Sequence, residues 1–541
     1  MKRTGAPITP FVPLLLSLAL VAGLFIGHGM QTPSERSLGF LFTRKPSPTD
    51  KIGQVLDLID RQYVDSVAKK QLVDEVLADL LQRLDPHSYY ISAEDLRAAK
   101  EPLEGSFDGI GVEFNIQRDT VVVIAPVEGG PSAALGIRPG DRILAANDKT
   151  LAGVGVTNKD VMDNLRGPGG TEVTVSILRP GSKEPFPVTI KRGKIPINSV
   201  AVSLLEPDGT GLIKLVRFAR TTHEEFVKAA RTLKERGMKR LVLDLRGNGG
   251  GYLDQAILLT DELLPPGRLI VYTEGRHHPR RDQFSDGGGL LEDMPLAVLI
   301  DEGSASASEI VAGALQDNDR GVIVGRRTFG KGLVQDEVML PDSSAVRLTT
   351  ARYYTPSGRS IQRPYGEGID YGDDFAQRFA HGELLSADSI QMDSTQAFRT
   401  RSGRVVYGGG GVMPDVFVPA DTAEASGYMS ELFYTGVLNQ FAFAYADRNR
   451  ARLERLGGAE AFAKDLSMDE ALLTGLVEDG RQQGIPPDRQ AIERSRRMLV
   501  VRLKATVARH IWGNEAYYAL TMGTDHIYQQ ARSALAGSPQ Q

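Results

Sequence analysis

Through the middle of the chain, short runs of consecutive apolar residues alternate with stretches of helical composition. Leu296 to Ile300 and Gly321 to Gly325 (Gly-Val-Ile-Val-Gly) read as buried strands, and Ser306 to Gln316 between them reads as a helix. A strand, helix and strand of this length imply parallel pairing, which points both strands' carboxyl ends at one edge of the sheet. An earlier unit has the same pattern. Arg240 to Leu245 is a strand, Arg246-Gly-Asn-Gly-Gly-Gly251 a flexible turn, and Tyr252 to Leu264 an apolar helix stopped by Pro265-Pro266-Gly267. The fold class is α/β and multidomain, with a parallel-sheet core over 195–420.

The flanks carry other periods. From Ile52 to Lys100, Val55, Leu58, Ile59, Leu72, Val76, Leu77 and Leu80 recur at helical spacing, punctuated by Leu84-Asp-Pro-His-Ser-Tyr89. His87 in that punctuation reads as a turn or packing residue. Within 104–194 the pattern is mostly β. Gly109-Ile-Gly-Val-Glu-Phe114 begins a strand, Val121 to Ile124 and Thr171 to Leu178 are others, and Pro131 to Ile137 and Asn158 to Leu165 are short helices. Pro364 to Arg404 is polar and mixed, and 421–541 reads as a helical extension in which Trp512 is a core or interface anchor.

At the amino terminus Lys2 and Arg3 precede an apolar run, Phe11 to Ile26, short of the ~20 residues that span a bilayer and suited to an export signal. Residues 1–30 are therefore a signal peptide or an uncleaved membrane anchor, 31–50 a linker and 51–103 a helical region. Either alternative places the body outside the cytoplasm, periplasmic or membrane-anchored. The formal net charge of −5, from 63 basic and 68 acidic residues, comes without a basic, aromatic-rich patch, so nucleic acid is not an expected partner. The absence of cysteine excludes disulfides, thiol catalysis and thiolate metal sites.

Chemistry concentrates in Gly303-Ser-Ala-Ser-Ala-Ser-Glu309 and, after the next strand, Thr328-Phe-Gly-Lys-Gly332. Both follow carboxyl ends of parallel strands, the edge at which open α/β sheets place their sites. A serine at a helix start and one lysine suffice for a hydrolase without histidine or metal. Spacing alone leaves Ser304, Ser306 and Ser308 as candidates. The lysine must lose its charge, because at the ordinary value near ~10.4 only about one molecule in 2,500 is neutral at pH 7. Burial beside Phe329, Leu333 and Val334 would lower it. Other motifs fail on these residues. Gly325 to Gly332 approaches a phosphate loop but ends in glycine where Ser or Thr is needed, and His223-Glu-Glu-Phe-Val227 lacks the second histidine of a zinc helix.

The runs Ser304 to Asp317, Thr328 to Gln335, Tyr354-Thr-Pro-Ser-Gly-Arg-Ser-Ile-Gln362 and Gly408-Gly-Gly-Gly-Val-Met-Pro-Asp415 resemble the carboxyl-terminal processing, or tail-specific, proteases from about Lys51 to Pro419. The resemblance implies Ser306 as nucleophile, Lys331 as base, Gln335 as its positioning partner, and Ala307 with Gly250 or Gly251 as oxyanion amides. Gly247-Asn248-Gly249 departs from the Asn-Asn-Pro-like run more usual there. Residues 104–194 resemble a PDZ domain, with Asp148 where many have glycine. That implies a carboxylate-binding loop and strand at Gly109, Ile110, Gly111 and Val112, pocket residues Phe114 and Val161, and Arg166 coupling occupancy to activation.

The expected function is a serine endopeptidase acting near free carboxyl-terminal tails of exported proteins, without metal or cofactor. A catalytically silent PDZ scaffold is the alternative. Expected partners are protein or peptide substrates, the membrane if the leader is retained, and a second copy of the chain.

Overall fold

The computed structural model describes residues 12–29, 48–366 and 368–537. The chain forms two compact units, Met1–Val76 and Leu77–Gln541. The first contains the helices Val12–Gly29 and Pro48–Gln62, with Lys69 paired to Asp57 and Asp60, both at 3.4 Å. No helix among the described residues is long and apolar enough to cross a membrane. The basic pair Lys2 and Arg3 and most of the expected linker lie outside the described residues.

The second unit is built on a six-stranded sheet in the order Val200–Leu205, Thr210–Leu215, Arg240–Asp244, Leu296–Ile300, Val322–Gly325, Val416–Phe417. Its first pair is antiparallel and every later pair parallel. Both faces are covered, which is why these strands read as unbroken apolar runs rather than alternating ones. Helices Thr222–Glu235, Leu253–Asp261 and Ala307–Asp317 bury Phe226, Leu259 and Val311 against one face. The other face, through Leu212, Val242, Leu299 and Val324, is covered by Ile527, Tyr528, Ala531 and Leu535 of the terminal helix His526–Gly537. The last helix of the carboxyl-terminal extension is thus a layer of the core.

An antiparallel sheet adjoins this core. Its long strand Ala345–Tyr354 pairs with Leu333–Met339, Tyr89–Ile91 and Leu269–Gly275. Tyr89–Ile91 interrupts the region read as helical from Ile52 to Lys100. The carboxylate of Asp85 accepts from the amides of His87 and Ser88, both at 2.8 Å, and this turn ends the helical path.

Residues 106–196 form a separate β-rich body ordered Val112–Ile116, Val121–Pro126, Arg142–Ala146, Glu172–Leu178, Phe186–Lys191. Gly109 ends a short strand, Ser106–Gly109, rather than opening a longer one. The break falls at Gly111, whose φ of +74° and whose missing Cβ, only 2.8 Å from Ile195 Cδ1, both require glycine. Between 427 and 521, helices including Val437–Leu453 and Arg489–Trp512 enclose their own core, with Leu432, Leu438, Leu476 and Leu503 buried and Trp512 packed at its margin.

Candidate active site

Strand Leu296–Ile300 delivers the serine segment to the sheet's carboxyl edge, and the helix Ala307–Asp317 starts immediately after it. The structure separates the three serines. Ser304 and Ser308 are fully buried, with hydroxyls donated to the carbonyls of Leu245 (2.9 Å) and Asn248 (2.8 Å). Ser306 is half-buried at the helix entrance, at φ 55° and ψ −114°. Such a backbone costs a residue with a Cβ roughly 1–3 kcal/mol. Gly250 makes room for it, since a Cβ there would lie 2.8 Å from Ser306 Cβ and 2.9 Å from Ala307 N.

Lys331 leaves the neighbouring parallel strand and precedes Leu333–Met339. Its amine donates to Gln335 Oε1 at 3.2 Å, and Gln335 Nε2 donates to the carbonyl of His87 at 2.5 Å. The pairing of this strand with Ala345–Tyr354 slips between Val334 and Gln335, and such an irregularity re-aims a side chain. Among the described residues no hydrogen bond joins Lys331 to Ser306. Burial first, then the charge of Arg347, holds the lysine below its ordinary value, against the opposing pull of Glu309 and Asp85. Besides burial, the cause thus includes a nearby cation, which the apolar neighbours named from the sequence do not supply.

Two organising residues went unread in the sequence. Glu309 is fully buried and accepts from Ser306 N (2.8 Å), Lys331 N (2.9 Å), Gly330 N (2.7 Å) and Thr328 Oγ1 (2.5 Å). One carboxyl therefore fixes the backbones of both candidate catalytic residues. Burial pushes it up to about 7 while these four donors pull it down. Tyr353, also buried, sets its hydroxyl within hydrogen-bond distance of the carbonyls of Ser306 (3.0 Å) and Lys331. The glutamate three residues after Ser306 was the available signal for the first; nothing local distinguishes Tyr353 from other strand tyrosines.

Ala307 stands at the first helical position, where backbone N–H groups lack intrahelical partners. The Gly250 amide donates to Asn248 Oδ1 at 2.9 Å. Gly251 bridges to Phe218, whose carbonyl oxygen lies 2.0 Å from where a Cβ would sit.

In the β-rich body, Ile110 is buried and its carbonyl accepts from Ser132 N (3.1 Å) and Oγ (2.6 Å), fixing the turn before Gly111. Val112–Ile116 ends its sheet, and among the described strands none pairs with its outer edge. Val112 and Phe114 pack against the core that includes Val161, which is fully buried on helix Asn158–Leu165. Arg166 caps that helix and pairs with Glu101 at 2.6 Å, its guanidinium 4.3 Å from the Phe107 ring centre.

Residues 209–371 match the model of peptidase family S41, residues 109–190 that of a PDZ domain, and residues 428–513 a family of unknown function (DUF8443). The carboxy-terminal-processing protease of Bartonella bacilliformis is 38% identical over 317 residues, 58% of this chain and 72% of that one. The carboxy-terminal processing protease CtpB of Bacillus subtilis is 33% identical over 351 residues, 63% and 72% of the two chains. Among solved structures, the photosystem II D1 C-terminal processing protease aligns with 28% identity and a TM-score of 0.36, over 70% of this chain and 88% of that one. The family matches make this chain a peptidase with a PDZ domain. The chain belongs to the carboxy-terminal processing proteases of peptidase family S41.

Proposed function

We propose that this chain is a serine endopeptidase that captures free carboxyl-terminal tails of exported proteins with its PDZ domain and hydrolyses nearby peptide bonds with a Ser306–Lys331 dyad. The observation that carries this reading is the contrast among the serines. Ser304 and Ser308 spend their hydroxyls on carbonyls, whereas Ser306 stands strained and half-buried at a helix N-terminus.

Ser306 Oγ attacks the scissile carbonyl carbon and passes its proton to the neutral amine of Lys331. The tetrahedral oxyanion is met by the Ala307 amide, with the positive end of the helix dipole behind it, and by an amide of the Gly250–Gly251 pair. Lys331 then gives the proton to the leaving amine as the C–N bond breaks, leaving an acyl-serine. A water molecule, deprotonated by the same amine, hydrolyses that ester and restores Ser306. Gln335 accepts from the lysine and holds its rotamer.

The tail adds as a strand to the open edge of Val112–Ile116, its terminal carboxylate at the turn of Gly109 to Gly111 and its side chains toward Phe114 and Val161. Arg166, joined to Glu101, relays occupancy to the core. The basic start and apolar run of the first 30 residues support export, with the body on the far side of the membrane.

The test compares an unstructured polypeptide carrying a free carboxyl terminus with its amidated twin. Binding should weaken about ten- to a hundredfold on amidation, ~1.5–3 kcal/mol, and Ser306→Ala should bind both as before while cleaving neither. Equal affinity for the two tails removes the tail-capture reading. Binding without turnover in the unmodified protein leaves the silent scaffold.

A further inference from the structure

The segment Leu84 to Tyr89 forms one wall beside the lysine. Asp85 pins it from within through the amides of His87 and Ser88, and Thr349 pins it from the long strand, donating to Asp85 Oδ1 (3.1 Å) and Ser88 Oγ (3.0 Å). The His87 carbonyl so delivered accepts from Gln335 Nε2. A carbonyl only accepts, so Gln335 has to offer its nitrogen to His87 and its oxygen to Lys331. The His87 imidazole is held separately. Its Nε2 lies 2.9 Å from the Tyr371 hydroxyl, and the two rings meet edge-on at 5.2 Å. Tyr371 in turn packs against Phe329, and Arg363 stacks 4.0 and 3.8 Å from the centres of those two rings.

The groups facing Lys331 are therefore Glu309 from the serine helix, Arg347 from the long strand, and Asp85 and His87 from this wall. Burial, then the charge of Lys331 and that of Arg363, lower the imidazole to about 4 against the pull of Asp85, so the ring beside the amine is uncharged at neutral pH. An uncharged ring there contributes bulk and no charge of its own beside the amine.

We propose that His87 is a positioning residue of the peptidase reaction: its carbonyl dictates which end of the Gln335 amide meets Lys331, and its imidazole, latched to Tyr371, keeps water from the amine. The inference rests on the dyad reading above. It assigns His87 no proton transfer, which separates it from a base.

The decisive measurement is the pH dependence of kcat/KM on a quenched-fluorescent, unstructured polypeptide with an apolar free carboxyl terminus. It compares the full chain with its His87→Ala, His87→Phe and Tyr371→Phe variants, each checked for folding by circular dichroism. Removing the ring lets water reach the amine and raises its proton affinity. The rising limb of His87→Ala should move up by about one pH unit, an approximately tenfold loss at pH 7 that is regained at high pH. His87→Phe keeps the bulk but loses the bond to Tyr371, so its limb should move by no more than that of Tyr371→Phe and by less than that of His87→Ala. Tyr371→Phe frees the ring and should shift the limb in the same direction by less; it stands in if His87→Ala does not fold. An unmoved limb in folded His87→Ala or, failing that, in Tyr371→Phe overturns the proposal. So does His87→Phe that is silent at every pH, which would make the imidazole a proton carrier. Ser306→Ala runs alongside: hydrolysis surviving there sinks the dyad reading, independently of His87.

Discussion

The lysine and serine loops are fastened from inside, whereas the PDZ domain is moored from outside. Glu309 gathers four donors with no exposure of its own, and Asp317 at the far end of the serine helix pairs with Arg359 at 2.8 Å, both fully buried. Among the described residues, three charge pairs that tie the PDZ domain to its surroundings are partly exposed, as is a fourth at its boundary, Arg220 with Glu104 at 2.9 Å. Arg166 meets Glu101 at 2.6 Å, Arg142 meets Asp447 at 3.4 Å, and Arg509 meets Glu113 at 3.5 Å. Charge in a low dielectric must be matched or the fold fails, while charge at the surface is screened and cheaply broken. The difference suits a rigid chemical centre served by a recognition domain that can shift.

The contrast breaks most sharply at the chemistry. Lys331→Arg keeps the charge but cannot accept the serine proton, so hydrolysis should fall on the order of 10⁴-fold or more, as when a nucleophile or its base is removed. The folded protein should still bind tails. Initial rates beside an affinity measurement decide it, and substantial residual turnover would return Lys331 to a structural role.

Next is the buried fastening. Glu309→Ala strands three backbone amides and the Thr328 hydroxyl, each worth ~1–3 kcal/mol when left unpaired and buried, so a destabilisation of about 4 kcal/mol or more by urea unfolding is expected, with activity lost. A change under about 1 kcal/mol would show that water replaces the carboxylate.

Acid should loosen the interior in a calculable direction. His510 is lowered from 6.5 to about 4, first by burial and then by Arg509 and Arg450; its ring nitrogens are buried without hydrogen-bond partners among the described residues. The unfolded chain therefore binds a proton near 6.5 that the native state refuses until about 4, so this stability is present above 6.5 and lost as pH falls through that window. His87 acts in the same sense, and Glu309, raised from 4.5 to about 7, in the opposite one. The urea midpoint of the native chain relative to His510→Phe should thus drop between pH 7 and 5. A flat difference would mean that the ring is wetted.

The smallest effects belong to the outer moorings. Arg142→Ala and Arg509→Ala should each change global stability by less than ~1 kcal/mol, and 0.5 M salt should erase what difference there is. A larger loss in either would mean that the PDZ domain is part of the rigid body after all.

What the sequence made legible follows the range of each interaction. Buried strands such as Leu296–Ile300 and the helix Asn158–Leu165, capped by Thr157 and Asp160, are written in local pattern and emerge at those bounds. The serine and lysine segments were readable because one sheet edge receives both. Contacts across long separations were not. The turn at Asp85 and the strand after it owe their place to Thr349 and to pairing with Ala345–Arg347, so a helical period upstream carried no sign of them. Nor could Pro364 to Arg404 reveal that Arg378, inside it, donates to the carbonyls of Arg327 and Thr328 and so braces the lysine loop.

The left-handed backbone of Ser306 sets the chemistry and the durability of this chain against each other. Only glycine occupies φ 55° there without a Cβ to strain, so on the proposed dyad reading the substitution that removes the nucleophile is also the one that relaxes the chain. Drift under selection for a sturdy scaffold alone would run toward glycine at 306. On the proposed dyad reading, a serine held in that conformation trades stability for turnover at one position.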